Sequence, residues 1–296
     1  EDDVGGLGQR EEFLGDLDIG GTLLQSADLQ YDDMFLAKLA PDLTPLWAKK
    51  YGTDYRQEPN ELAIDSQGNI VFAAATFTPD DFGGGEIGEN NQWNAVVVKV
   101  GPGGGFLWNQ VYPAFSVFTG DGDIYFNMGL AIAKNDDVIL GGTFGDAVFF
   151  GGSQVFPKGG RDAFVVRLAA ADKTLVWKAT FDGGGAGDPD GDQWVDSLAV
   201  DPCDNVYVAG AFTKQMDLGG QAPTPVLGFD PAIPDMFLIK LDSAGVPLWQ
   251  KAYGDAGWQE AVAVRADPFG NVALAGFMND AAGFMGVDFG PGIGVL

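Results

Sequence analysis

An all-β fold is what this 296-residue sequence predicts, on three observations. Apolar residues recur every second position in short runs, and no long stretch carries helical periodicity. A twenty-residue phrase is spelled out twice, DMFLAKLAPDLTPLWAKKYG from Asp33 and DMFLIKLDSAGVPLWQKAYG from Asp235. The 45 glycines and 16 prolines supply the punctuation that many tight turns need, and a 46% apolar content supplies a core.

Aligned on that phrase, four copies emerge, with starts 61, 68 and 73 residues apart. Their first strands are DMFLAKL at Asp33, NAVVVKV at Asn94, DAFVVRL at Asp162 and DMFLIKL at Asp235. In the first of these Phe35, Ala37 and Leu39 share one face while Met34 and Leu36 share the other, so a layer must cover each side. Second strands follow at Leu46, Leu107, Val176 and Leu248, each with a Trp and, four residues on, a Tyr or Phe: Trp47, Trp108, Trp177 and Trp249. A large aromatic pair on one face of every unit reads as a plug between neighbouring sheets. Third strands are expected at ELAID (Glu61), GLAIA (Gly129), SLAVD (Ser197) and AVAVR (Ala261). Turns such as DSQGN and DPCDN then lead into the fourth strands, and a glycine linker recurs at Asp81, Phe149, Asp217 and Asp288.

Antiparallel four-stranded units, each covered on both faces by its neighbours, are the blades of a β-propeller. The expected organisation is one propeller domain: the outer strand and linker of a preceding blade at 1–32, then blades at 33–93, 94–161, 162–234 and 235–296, the last with its trailing linker. The opening EDDVGGLGQREEFLGDLDIGG aligns with NDDVILGGTFGDAVFFGG at Asn135, which is why the first residues are assigned to a preceding blade. Four blades and one strand leave an open edge, so the chain is expected to be a portion of a longer product or to assemble through its ends.

The order D-A-F-V-x-K-L, L-x-W, A-V-D-x-x-G-N-V-Y-V-x-G resembles the SBBP-type β-propeller repeat of secreted and surface bacterial proteins. It is carried best by Asp162 to Leu168 and by Ala199 to Gly210, and it extends from about Asp33 to Phe277. The turn before the tryptophan also resembles quinoprotein-like propeller repeats, without the residues that would hold a quinone. The second unit departs from the pattern, with KNDD at Lys134 where the others carry Asp-x-x-Gly-Asn or a close variant. The resemblance implies an exported, non-catalytic scaffold, extracellular or at the cell surface.

Charge narrows the partners. With 42 acidic against 16 basic residues the net charge is −26, which opposes nucleic acid and anionic lipid and favours divalent cations or a saline setting. No apolar run is long enough to insert in a membrane as a helix. One cysteine, Cys203, excludes an intrachain disulfide, and the lack of histidine excludes Ser-His-Asp and Cys-His centres. The triple glycines at Gly83, Gly103 and Gly183 lack the Lys-Ser/Thr of a phosphate loop.

Calcium is the cofactor the acids suggest. Asp188, Asp190, Asp192 and Asp196 stand at relative positions 1, 3, 5 and 9, a spacing that resembles integrin-type calcium loops, with Gln193 where those loops have glycine. Asp121 and Asp123, with Asn127, repeat the theme more weakly, and Asp54, Asp255 and Glu260 occupy similar loops with fewer ligands. The bland counterpart is a solvated acidic loop. Lys38, Lys99, Arg167 and Lys240 recur at one position in every unit, as scaffold cations rather than an anion-binding ring. Trp93, Trp194 and Trp258 lie outside the repeated register and are the candidates for stacking on a surface glycan or a protein partner, or else are loop anchors. The expected function is thus a non-catalytic extracellular binding or structural module, calcium-stabilised, for surface attachment or self-assembly. The alternative is a glycoside hydrolase with a carboxylate pair at the propeller mouth.

Overall fold

The structure is a computed structural model that describes residues 12–13, 15–27, 31, 33–53, 55, 57–88, 93–113, 128–145, 147–158, 160–182, 191–216, 224–225, 233–254 and 257–279. These residues contain no helix. Beside short hairpins, the principal strands are β1 (Glu12–Phe13), β2 (Asp33–Leu39), β3 (Pro45–Tyr51), β4 (Gln57–Ile64), β5 (Ile70–Thr76), β6 (Asn94–Val100), β7 (Phe106–Pro113), β8 (Gly129–Ile132) and β9 (Val138–Phe144). They continue with β10 (Asp162–Leu168), β11 (Leu175–Phe181), β12 (Gln193–Val200), β13 (Val206–Phe212), β14 (Asp235–Leu241), β15 (Pro247–Tyr253), β16 (Trp258–Ala266) and β17 (Val272–Asn279).

All four first strands begin and end where the period-two pattern places them. Three antiparallel four-stranded meanders result: β4–β7, β8–β11 and β12–β15. A three-stranded sheet of β1, β2 and β3 precedes them, and a two-stranded sheet of β16 and β17 follows. Each complete sheet joins the third and fourth strands of one sequence unit to the first and second strands of the next. The unit starts at 94, 162 and 235 therefore fall inside sheets, where Thr76 pairs with Asn94, Phe144 with Asp162 and Phe212 with Asp235. A tandem repeat reads the same wherever it is cut, so the text of the repeat carries its length but not its phase. Only hydrogen bonding fixes the phase. In the same register Phe13 pairs with Asp33, which gives β1 the place of a fourth strand beside β2.

Both faces of the complete sheets are buried. Val71, Ala73, Ala75, Ala95 and Val97 pack against Val138, Leu140, Phe164 and Val166 of the next sheet. The alternate residues Ile70, Phe72, Ala74, Val96 and Val98 turn the other way, against Met34, Leu36 and Tyr51. Beyond them Ile139, Ala163 and Val165 meet Val206, Val208, Phe237 and Ile239, and Ala199, Ala209 and Leu238 meet Ala261 and Val264. The heading strands β4, β8, β12 and β16 are neighbours in that order. Tyr51 is buried beside Phe72 and Phe82, and Trp47 is half-buried at the same sheet junction, so the aromatic pair does plug neighbouring sheets.

Tryptophan also stitches the sheets through hydrogen bonds. The indole N–H of Trp47 donates to the Pro102 carbonyl at 3.0 Å, that of Trp108 to Ala170 at 3.4 Å and that of Trp177 to Ser243 at 3.0 Å, each in a turn of the following sheet.

Candidate functional site

The recurrent cations belong to the scaffold. Lys99 pairs with Asp65 at 2.8 Å and Lys240 with Asp201 at 3.0 Å, and in both turns an asparagine, Asn69 or Asn205, also donates to the carboxylate. Burial opposes the charge of Asp201, but donation from Asn205 and Lys240 outweighs it and holds the carboxyl down at about 2. In the KNDD turn Ala133 stands where the other turns have the acid, and Asp137 takes over from the far end of the turn. The cation is now an arginine, whose fork reaches Asp137 and Asp204 at 2.9 Å each and Asn135 at 2.8 Å. Asp136 and Asp204 adopt φ of +67°, where the other turns have Gly68 and Gly270. Each repays the strain by accepting an N–H from the preceding sheet's turn, Ser66 to Asp136 at 2.9 Å and Lys134 to Asp204 at 3.0 Å.

At the opposite end of the sheets, where β4, β12 and β16 begin, chemistry less tied to the scaffold gathers. A bulge interrupts β12 between Val195 and Ser197, and another interrupts β16 between Ala261 and Ala263. Gly210 and Gly276 face these bulges because nothing larger fits. A Cβ on Gly210 would lie 2.0 Å from the Trp194 carbonyl oxygen, and one on Gly276 would lie 2.1 Å from that of Glu260. The bulged strands bring Trp194 and Trp258 to one carboxylate: Trp194 donates to Glu260 Oε1 at 3.0 Å and Trp258 to Oε2 at 3.1 Å. Trp258 is 48% exposed, and Trp194 is half-buried. At the start of β4 the half-exposed Tyr55 stacks on Tyr31 with ring centroids 5.3 Å apart.

The third candidate tryptophan is placed differently. Trp93 is only 9% exposed and meets Phe77 edge-on at 5.5 Å, so it anchors its loop in the core and offers no face to a sugar. Of the acidic loop, Asp188 and Asp190 lie outside the described residues, as do Asp121, Asp123, Asn127, Asp54 and Asp255. Asp192 Oδ1 accepts the Arg161 backbone N–H at 2.8 Å and Oδ2 accepts its guanidinium at 2.9 Å, so both oxygens face protein donors. Asp196 is the extra residue of the β12 bulge. Among the described residues no group of three or more acids or cysteines is disposed to hold a metal ion.

Glu260 reads in sequence as one spare acid near Asp255. Its link to the tryptophans shows only in the strand register, where Gln193-Trp194 and Gln259-Glu260 take equivalent places in adjacent strands; aligning Ser197 with Ala261 sets them two residues apart. Compared with known proteins, the chain matches no protein-family model and no curated protein.

Proposed function

We propose that this chain is a β-propeller of the SBBP type, exported, and working as a non-catalytic binding module. The observation that carries the architecture is the succession β4, β8, β12, β16. Each heads a sheet, each neighbours the next, and the faces between them are apolar. Export follows from the resemblance alone. The binding end is the one where the heading strands begin, and Trp258, Glu260 and Trp194 are its core. An exposed indole beside a carboxylate suits a neutral oligosaccharide: the ring stacks on the apolar face of a pyranose, and the carboxylate accepts hydroxyl hydrogens. The same carboxylate argues against hydrolysis there, because Glu260 is held by two indole donors and Asp192 by Arg161. Such donors favour the ionised form of an acid, whereas glycoside hydrolysis needs one of its two acids to carry a proton. Calcium, held by the 188–196 loop, would rigidify this end.

The test is titration with neutral β-linked and α-linked oligosaccharides, followed by tryptophan fluorescence, with and without calcium. Quenching that saturates, and that is lost in Trp258→Ala but kept in Trp93→Phe, is the expected outcome. Identical traces for the native chain and Trp258→Ala would refute the site.

A further inference from the structure

We propose that β17 pairs edge to edge with β2 of the same molecule, so that the sheets at 258–279 and 33–51 form one four-stranded sheet and close a ring of four. This deepens the propeller reading by giving it a blade count, and rests on it for the ring.

Among the described residues, strand pairing, the cation–acid pair and the indole bond are each incomplete at these two places, and the missing halves match. In the complete sheets β5, β9 and β13 each pair onward with β6, β10 and β14. Among the described residues β17 has no such partner, and β2 is paired on that edge only at Asp33 and Met34, by Phe13 and Glu12. Continuing the shared register sets Met278 opposite Asp33 and Val272 opposite Leu39. Lys38 then faces Ala273, just as Lys99 faces Val71, Arg167 faces Ile139 and Lys240 faces Tyr207.

The charges agree with this register. Asp267 holds Asn271 in its turn at 2.8 Å as Asp65 and Asp201 hold theirs, yet it has no cation among the described residues. Lys38 has no acid there and donates to the Pro102 carbonyl at 3.2 Å. The indole series ends the same way. Trp249 is 39% exposed, and the carbonyl that its counterparts would assign to it is that of Pro41, between β2 and β3.

Faces and distance complete the match. Leu62 and Ile64 of β4 are 53% and 60% exposed on the side that looks toward β2 and β3. A cavity of about 210 Å³ lies there, lined by Met34, Leu36, Pro59, Leu62 and Phe72. Phe277, on the uncovered face of β17, would turn into it. The two ends of the stack already touch, since Arg265 of β16 lies 3.5 Å from Glu61 of β4. A partner strand from a second copy would have to enter between ends that an ion pair spans, so the occupant is β2 of the same chain. Closure displaces the two pairs made by Glu12 and Phe13 in favour of seven.

Disulfide trapping tests this in the full chain with Cys203→Ser. Ala37→Cys with Leu274→Cys probes the proposed pair, and Val208→Cys with Ile239→Cys probes the equivalent pair within the third complete sheet. Expected is a monomer whose proteolytic digest contains one cross-linked peptide spanning positions 37 and 274. If the control pair cross-links and 37–274 does not, or does so only between chains, closure is overturned while the sheet grouping stands. Failure of the control would instead overturn the sheet grouping, and closure with it. A charge swap guards against misfolding of the cysteine variants. Lys38→Glu and Asp267→Lys should each lower Tm and the double variant should recover at least half of the loss; purely additive losses would overturn the pairing.

Discussion

Single carboxylates set how this molecule should respond to pH, and they pull in opposite directions. Asp65 and Asp201 sit below the usual carboxylate range: burial raises both, but donors from lysine and asparagine prevail. Their contribution is present above the unfolded value of 3.8 and is lost as pH falls toward 2. Asp80 and Asp162 are raised to about 6, chiefly by burial and further by a neighbouring acid, Asp33 or Asp182. Their contribution is complete below 3.8 and is lost as pH rises through 6. Tm is therefore expected to peak at about pH 4 and to decline toward pH 7. Asp80→Asn should flatten the decline between pH 4 and 6, by on the order of 3 kcal/mol for a shift of this size. A variant with the native slope would show that Asp80 ionises freely in the folded chain.

Strands were the most legible level of this protein, and their ends show why. First strands are uninterrupted period-two runs closed by turns, so Asp33–Leu39 and its three counterparts could be read residue by residue. Three heading strands, β4, β12 and β16, begin earlier than their apolar cores suggest: ELAID starts at Glu61, whereas β4 starts at Gln57. The bulge between Pro59 and Glu61 breaks the alternation, and a broken alternation reads as loop. The corresponding bulges of β12 and β16 hide the site. Trp194 and Trp258 stand out as aromatics outside the repeat, but Glu260 joins them only through the neighbouring strand. Asp192, expected as a metal ligand, also accepts from Arg161, a partner 31 residues earlier that a local spacing does not show. Gly210 is the residue on which this element-scale geometry turns. Gly210→Ala would put a Cβ against the Trp194 carbonyl, where backbone has to yield. A loss of about 1–3 kcal/mol is expected, on the scale of overpacking a tight site. Near-ultraviolet circular dichroism should show Trp194 leaving its environment. Unchanged spectra and Tm would mean that the bulge is not held by this contact.

At the scale of the whole molecule, charge and fold are in conflict, and the conflict can be measured. A net charge of −26 on 296 residues opposes any compact state. The apolar faces between sheets overcome it, and the cations that exist are placed where they matter for register. Lys99 and Asp65 are 5% and 0% exposed as side chains, so mobile ions hardly reach that pair, whereas most of the repulsion lies among acids on the surface. Raising sodium chloride from about 0.05 to 1 M shortens the screening length from over 10 Å to about 3 Å. Repulsion between surface acids should weaken far more than the buried pairs do, so Tm should rise with salt. Potassium glutamate and sodium chloride at equal ionic strength should act alike, and an uncharged osmolyte at matched osmolality should do less. A Tm that falls with salt would mean that solvent-reached ion pairs such as Arg265 with Glu61, at 3.5 Å, dominate stability, against their usual small worth.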